Sequence, residues 1–331
     1  MSRVYAVASG KGGVGKTTTV ANLGAVLAEA GHETVAVDVD LGMGNLAGVL
    51  GVDVDAGPTV NDVLAGTATI TAAVREGPVG LSVLPASTDL DDFGRGDPDG
   101  LSTLLDGLDA DVVLLDTSAG LSHDSVEPLR VADEVILVST AEPGALGDTA
   151  KTREVADRFG TPVWGAVVTR ATTDGDGERA ADRSRTDGVA AVADRLGVTV
   201  RGSIPEDPAV AAAAAAGDPL VVAAPDAPAT GAYRRLAAEL LDDDALAPTA
   251  DEPTADEPTH DADGVVVADA EETARESAEA TETEEGTPDD GSVTLDDADD
   301  GTDDDTDDDT EADREDEAGS ERSGFLRWLL G

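Results

Sequence analysis

"SGKGGVGKTTT", residues Ser9 to Thr19, is a glycine-rich loop holding two lysines, set between an apolar run and a helical pattern. Gly10 to Thr17 fits G-x-x-x-x-G-K-[ST] in full, and a strand before with a helix after is the context that motif requires. The loop residues Gly10, Lys11, Gly12, Gly13, Val14 and Gly15 can turn backbone N–H groups inward to cradle phosphates. The start of the following helix adds favourable partial charge. Lys16 is placed to reach β- and γ-phosphates and the Thr17 hydroxyl to bind Mg²⁺, with Thr18 in the same turn. One lysine suffices for that task, so Lys11 needs another explanation. Its rarity sharpens the question, because the chain's only lysines are Lys11, Lys16 and Lys151.

Outward from the loop, residues 1–241 alternate apolar runs with helical patterns. The runs are "VYAVA" (4–8), "TVAVD" (34–38), "VVLLD" (112–116), "EVILVS" (134–139), "VWGAVV" (163–168) and "VTVRGSI" (198–204). Nearly continuous Val/Leu runs suit parallel strands buried on both faces. Helical patterns fall at 16–30, 124–132, 146–159, 177–196 and 230–241. Such alternation predicts an α/β fold with a doubly wound, mostly parallel sheet of the P-loop type, binding its ligand at the carboxyl ends of the strands.

Beyond residue 241 the composition changes. Residues 242–322 hold 35 acids and three arginines, with runs such as "DDADDGTDDDTDDDTEADREDE". So little hydrophobicity cannot offset ordering entropy, and the segment is expected to be a disordered acidic linker. Residues 323–331, "SGFLRWLLG", restore apolar character. Phe325, Trp328 and Leu329 fall at helical spacing, and Leu326 and Leu330 widen the apolar side. The expected organisation is therefore a domain at 1–241, a linker at 242–322 and a short amphipathic helix at 323–331.

The formal net charge is −50, from 71 acids and 21 bases. Outside 242–322 there remain 36 acids against 18 bases, so the tail alone does not create the bias. This balance argues against a nucleic-acid surface, which needs a basic footprint. Scarce lysine and abundant acid suit a salt-rich cytoplasm of the haloarchaeal type, where at 1 M salt the Debye length is about 3 Å and self-repulsion is screened. The absence of cysteine excludes disulfides, thiolate zinc sites and iron–sulfur clusters. Met1-Ser2-Arg3 runs into "VYAVA" without a signal peptide, and no apolar run approaches the roughly 20 residues of a membrane span, so a cytoplasmic protein is expected.

Two further acidic positions stand at strand ends. Asp116 closes "DVVLLD", where a carboxylate beside a phosphate loop holds Mg²⁺ directly or through water; alone, it would read as a helix cap. Asp38 and Asp40 in "VDVDLGMGN" can divide the labour between the metal shell and the attacking water, or simply form a solvated acidic loop. Thr17, Asp38 and Asp116 are thus the candidate metal residues.

Together, "KGGVGKTTT", "VDVDLGMGNL" and "VVLLDTSAGLS" resemble the deviant Walker A ATPases of the MinD/ParA family. The likeness continues through "ADEVILVSTAEPGALGDTAKT" and "GSIPEDPAVAAAAAAGDPLV", over roughly residues 3–240, and is strongest for the MinD-type branch. The resemblance implies an ATP- and Mg²⁺-dependent ATPase whose extra loop lysine, here Lys11, crosses a nucleotide-sandwich dimer to the partner's phosphates. Lys11, Lys16 and Asp40 would then be catalytic, with Asp40 orienting water and Asn45 at the dimer interface. It also implies that the terminal helix binds the inner membrane face, that an activator or cargo protein is recruited, and that cellular machinery such as the division site is positioned. Two departures stand out: Thr169, followed by Arg170, replaces the asparagine that reads adenine, and Ser118 replaces a proline. Base recognition then falls to Thr169, Arg170 and the Pro205-Glu206-Asp207 loop. The competing readings are a ParA-like DNA-partitioning ATPase, a small-molecule phosphotransferase on the same fold, and a non-hydrolysing scaffold.

Overall fold

In the first strand, Tyr5 and Val7 point into one apolar cluster while Val4, Ala6 and Ala8 point into another. Both clusters are buried, which is why the run carries no polar alternation. The computed structural model describes residues 2–89, 92, 95–120, 122–171 and 188–248. The expected linker from residue 249 onward, the terminal helix at 323–331 and the whole segment 172–187 lie outside the described residues.

Among the described residues eight strands form one sheet: β1 (Arg3–Ala8), β2 (Thr34–Asp38), β3 (Arg75–Glu76), β4 (Ser82–Leu84), β5 (Val112–Asp116), β6 (Glu134–Ser139), β7 (Val163–Ala171) and β8 (Val200–Pro205). Their order is β3-β4-β2-β5-β1-β6-β7-β8, with only the β3–β4 pair antiparallel. The expected doubly wound, mostly parallel sheet is thus present, with all six anticipated strands in it. The sequence reading missed β3 and β4. β4 spans three residues and β3 two polar ones, too short for either to register as an apolar run.

One face of the sheet carries α1 (Lys16–Glu29), α2 (Leu46–Val49), α9 (Pro208–Ala216), α10 (Leu220–Ala223) and α11 (Pro228–Leu241). The other carries α3 (Val60–Leu64), α4 (Ile70–Ala73), α5 (Leu101–Asp106), α6 (His123–Val131), α7 (Pro143–Phe159) and the helix α8 at 188–196. α1 buries nearly its whole length against the sheet and α11, from Thr19 to Leu27 without a break. Its apolar residues are Val, Leu and Ala, and Gly24 lets Leu81 and Leu114 approach closely.

Register sets the site. Val7 of β1 lies opposite Asp116 of β5, and Asp38 of β2 lies opposite the same Asp116. The carboxyl ends of the three neighbouring strands therefore bring the glycine-rich loop and two carboxylates together. At the far end of α1, Val26, Glu29 and Ala30 meet Ala245 to Pro248, the last described residues, around a cavity of about 520 Å³. The described chain thus ends at the edge of the domain opposite the loop.

Candidate functional site

Gly15 caps the N-terminus of α1 with φ 100°, a left-handed conformation open to glycine, and provides no side-chain cap. The first-turn N–H groups of α1 are left for an anion. Lys16 is buried at the start of the helix, and its Nζ donates to Ser9 Oγ at 3.2 Å. Ser9 Oγ in turn donates to the Lys11 carbonyl at 2.8 Å, closing the loop on itself. Burial pushes the Lys16 ammonium down from its ordinary value, against the opposing pull of Asp116 and Asp40.

Lys11 goes the other way. Its side chain is 47% exposed and its Nζ lies 3.2 Å from Glu142 Oε2, itself exposed at the start of α7. The two loop lysines are thus separated by environment: one faces into the cradle, the other stands outside it.

Asp116 is fully buried, and burial raises its carboxyl to about 7, against a hydrogen bond from the Thr17 side chain and the charge of Lys16. Its Oδ1 has no hydrogen-bond partner among the described residues. Asp38 is pushed well above the usual carboxylate range by burial and then by the Asp116 charge. Both of its oxygens are engaged: Oδ1 accepts from Asp40 N and Oδ2 from Leu46 N, each at 3.1 Å. Asp40 is half-buried, and its Oδ1 accepts from Met43 N at 3.1 Å. Asn45 is exposed in the same loop. Among the described residues no group of three His, Cys, Asp or Glu side chains forms an all-protein metal site. A hydroxyl beside an orphaned buried carboxylate oxygen suits Mg²⁺, which completes its shell with phosphates and water.

Thr18, Thr169, Arg170, Pro205, Glu206 and Asp207 do meet, around a cavity of about 400 Å³ beside Val14 and Gly15. Its remaining wall is largely apolar, from Ile204, Val210 and Ala214. The Thr169 hydroxyl turns into the protein, donating to the Val14 carbonyl at 2.6 Å. Arg170 donates to the Gly13 carbonyl at 2.9 Å. The Asp207 carboxylate accepts from Ala209 N and Ala229 N, fixing the starts of α9 and α11. Of the expected base-binding side chains, Thr169 and Asp207 are therefore committed to internal bonds. The sequence reading missed Ser9 and Glu142 as partners of the two lysines. Ser9 adjoins the motif and was within reach; Glu142 meets Lys11 only through the packing of β1 beside β6.

Residues 5–220 match the family model described as the CobQ/CobB/MinD/ParA nucleotide binding domain. The chain belongs to this family. This CobQ/CobB/MinD/ParA domain is 38% identical over 243 residues to an ATP-binding protein of Methanocaldococcus jannaschii, covering 73% of the chain and 88% of that relative. Among solved structures it is similar to the septum site-determining protein MinD of Pyrococcus horikoshii complexed with Mg-ADP, at TM-score 0.65 and 34% identity, covering 72% and 96% of the two chains. It is also similar to the MinC:MinD cell division protein complex of Aquifex aeolicus, at TM-score 0.62 and 26% identity, covering 73% and 96%. The family and the P-loop fold expected from the motifs are both upheld. No helix among the described residues is long and apolar enough to cross a membrane.

Proposed function

We propose that this chain is a MinD-like ATPase that dimerises on binding MgATP, engages the inner face of the membrane through residues 323–331, and positions cellular machinery until hydrolysis releases it. The observation that carries the reading is the split between the two loop lysines. Lys16 is buried toward the phosphate cradle and supplies the charge that binding needs. Lys11 stands outside, exposed and, among the described residues, held only by an exposed carboxylate. Solvent-exposed pairs of that kind contribute about 1 kcal/mol or less, so a partner's phosphates can displace Glu142 readily.

Thr17 and Asp116 would hold Mg²⁺, which when bound neutralises charge across the β- and γ-phosphates. Asp38 serves the loop rather than the metal, because both its oxygens accept backbone N–H groups. Asp40 then orients the water that attacks the γ-phosphorus as the bond to the β–γ bridging oxygen breaks. The base lies in the cavity beside Thr169 and Arg170, where apolar walls and backbone groups hold it. The likeness to a MinD found in complex with MinC supports a protein partner, and an activator or cargo protein is proposed here on that ground.

The test compares two alanine variants by ultracentrifugation and phosphate release. Lys16→Ala should lose nucleotide binding altogether. Lys11→Ala should keep ADP affinity within a few-fold yet remain monomeric with ATP and hydrolyse at least tenfold more slowly. Normal ATP-dependent dimerisation of the Lys11→Ala chain would remove the trans role.

A further inference from the structure

Helix α3 opens with "TVND", Thr59 to Asp62, and is fixed by a capping box in which the Asp62 carboxylate accepts from Thr59 N at 2.9 Å. Its second residue, Asn61, turns inward and is 1% exposed. The Asn61 amide is used in both directions. Oδ1 accepts from Ser87 N at 2.9 Å, and Nδ2 donates to the Leu41 carbonyl at 3.2 Å and the Asp92 carbonyl at 3.4 Å. Leu41 is the immediate neighbour of Asp40, so this buried amide ties the segment following β4 to the loop following β2.

That loop needs outside support. It contains Gly42 and Gly44 and has little stiffness of its own. Asp38 fixes its two ends, at Asp40 N and Leu46 N. Between those ends Asp40 Oδ1 accepts from Met43 N, its one hydrogen bond among the described residues, and that bond is local. Asn61 reaches the intervening stretch from a capped helix whose Val60 is buried in the apolar core. Buried amides that bond in two directions are costly to leave unpaired, so the connection is specific as well as stabilising.

We propose that Asn61 is a positioning residue for hydrolysis: by holding the Leu41 carbonyl it fixes the backbone beside Asp40, and with it the place from which Asp40 orients water. The inference rests on the role proposed above for Asp40. Misplacing a catalytic group by about 1 Å costs about 10²-fold in rate, so a loop tie of this kind governs turnover without touching nucleotide. The side chain must be an amide, because one atom donates and the other accepts. Aspartate has the same shape and still accepts from Ser87 N, but it would set an oxygen against two carbonyl oxygens.

The experiment uses the full chain at high salt and measures single-turnover ATP hydrolysis, KM for ATP and ADP affinity. The variants are Asn61→Asp, Asn61→Ala, Asp40→Asn and the Asn61→Asp/Asp40→Asn double variant. Either Asn61 variant should hydrolyse at least tenfold more slowly, with KM and ADP affinity within twofold of the parent. In the Asp40→Asn background Asn61→Asp should change the residual rate by less than twofold, since both act through one group. Parent-like turnover in both Asn61 variants overturns the proposal. So does an equal proportional loss in the Asp40→Asn background, and so does loss of ADP binding by both variants, which would make Asn61 a residue of the fold. If Asp40→Asn alone hydrolyses like the parent, the Asp40 reading itself fails, a result read from that variant without reference to Asn61.

Discussion

Asp38 and Asp116 face each other across β2 and β5, buried and matched in register. Burial raises Asp116 to about 7 and pushes Asp38 well above the usual carboxylate range, the second helped by the charge of the first. In an unfolded chain both would titrate near roughly 4. The folded protein therefore binds more protons than the unfolded one between about pH 4 and pH 7. The stability this pair contributes is full below the unfolded value and is lost as pH rises through about 7. Without nucleotide, the melting temperature should fall from pH 5 to pH 8 more steeply in the parent than in Asp116→Asn, as followed by circular dichroism. Equal slopes would remove Asp116 as the cause. A bound cation favours the ionised form, so Mg-ADP binding at pH 6 should release protons, read as a dependence of calorimetric heat on buffer ionisation enthalpy. The same pair shows where sequence stops. Each aspartate was visible at the end of an apolar run, but their adjacency follows from β5 lying between β2 and β1, an order that no local pattern contains.

At the scale of elements, the glycine-rich loop rides on a helix backbone. A Cβ on Gly10 would lie 2.1 Å from both the carbonyl carbon and oxygen of Asp148 in α7, so neither side can give way by a rotamer change. Gly10→Ala should displace α7 from the loop, cost about 1–3 kcal/mol or more of stability and weaken ADP binding over tenfold. Gly12→Ala is the steric control, because its Cβ meets nothing nearer than Ala119 at 3.9 Å, and its melting temperature should stay near the parent's. Thermal melts and ADP titrations of both check this. The long elements were legible because each carries its own signal. α1, α11 and the six apolar strands lie within three residues of where periodicity put them, and α7 begins three residues before its apolar pattern, with proline in its first turn. The short helices were not. α3 and α4 span five and four residues, less than the pattern of a full amphipathic face, and are fixed instead by Thr59, Asp62 and Thr69 at their caps. Asn61 was hidden for the same reason, lying in a helix with too few turns to reveal its buried side.

For the whole molecule, the proposed anchor acts through hydrophobicity, since Arg322 and Arg327 are the only cations near a terminal segment preceded by acid. Trp328→Glu should abolish flotation with liposomes at high salt while leaving ATP binding unchanged, and parent flotation should be stronger with ATP than with ADP. Equal flotation of parent and variant would remove the anchor, and equal flotation with the two nucleotides would remove only the switch. The far cavity, where Ala245 to Pro248 meet the end of α1, adds a geometric consequence. The helix α1 runs about 21 Å from the loop to that edge, at 1.5 Å per residue over its 14 residues. In the proposed dimer, two chains facing each other across their nucleotides would therefore present their tether origins at opposite outer ends. The tether proposed here, roughly 80 residues, would span about 50 Å as a flexible coil, more than twice the length of α1. If the proposed anchor holds, the domain would be confined to the neighbourhood of the membrane while free to tumble, so that a partner could meet it from any side. Attachment would fix where the protein is and leave its facing direction to whatever it meets.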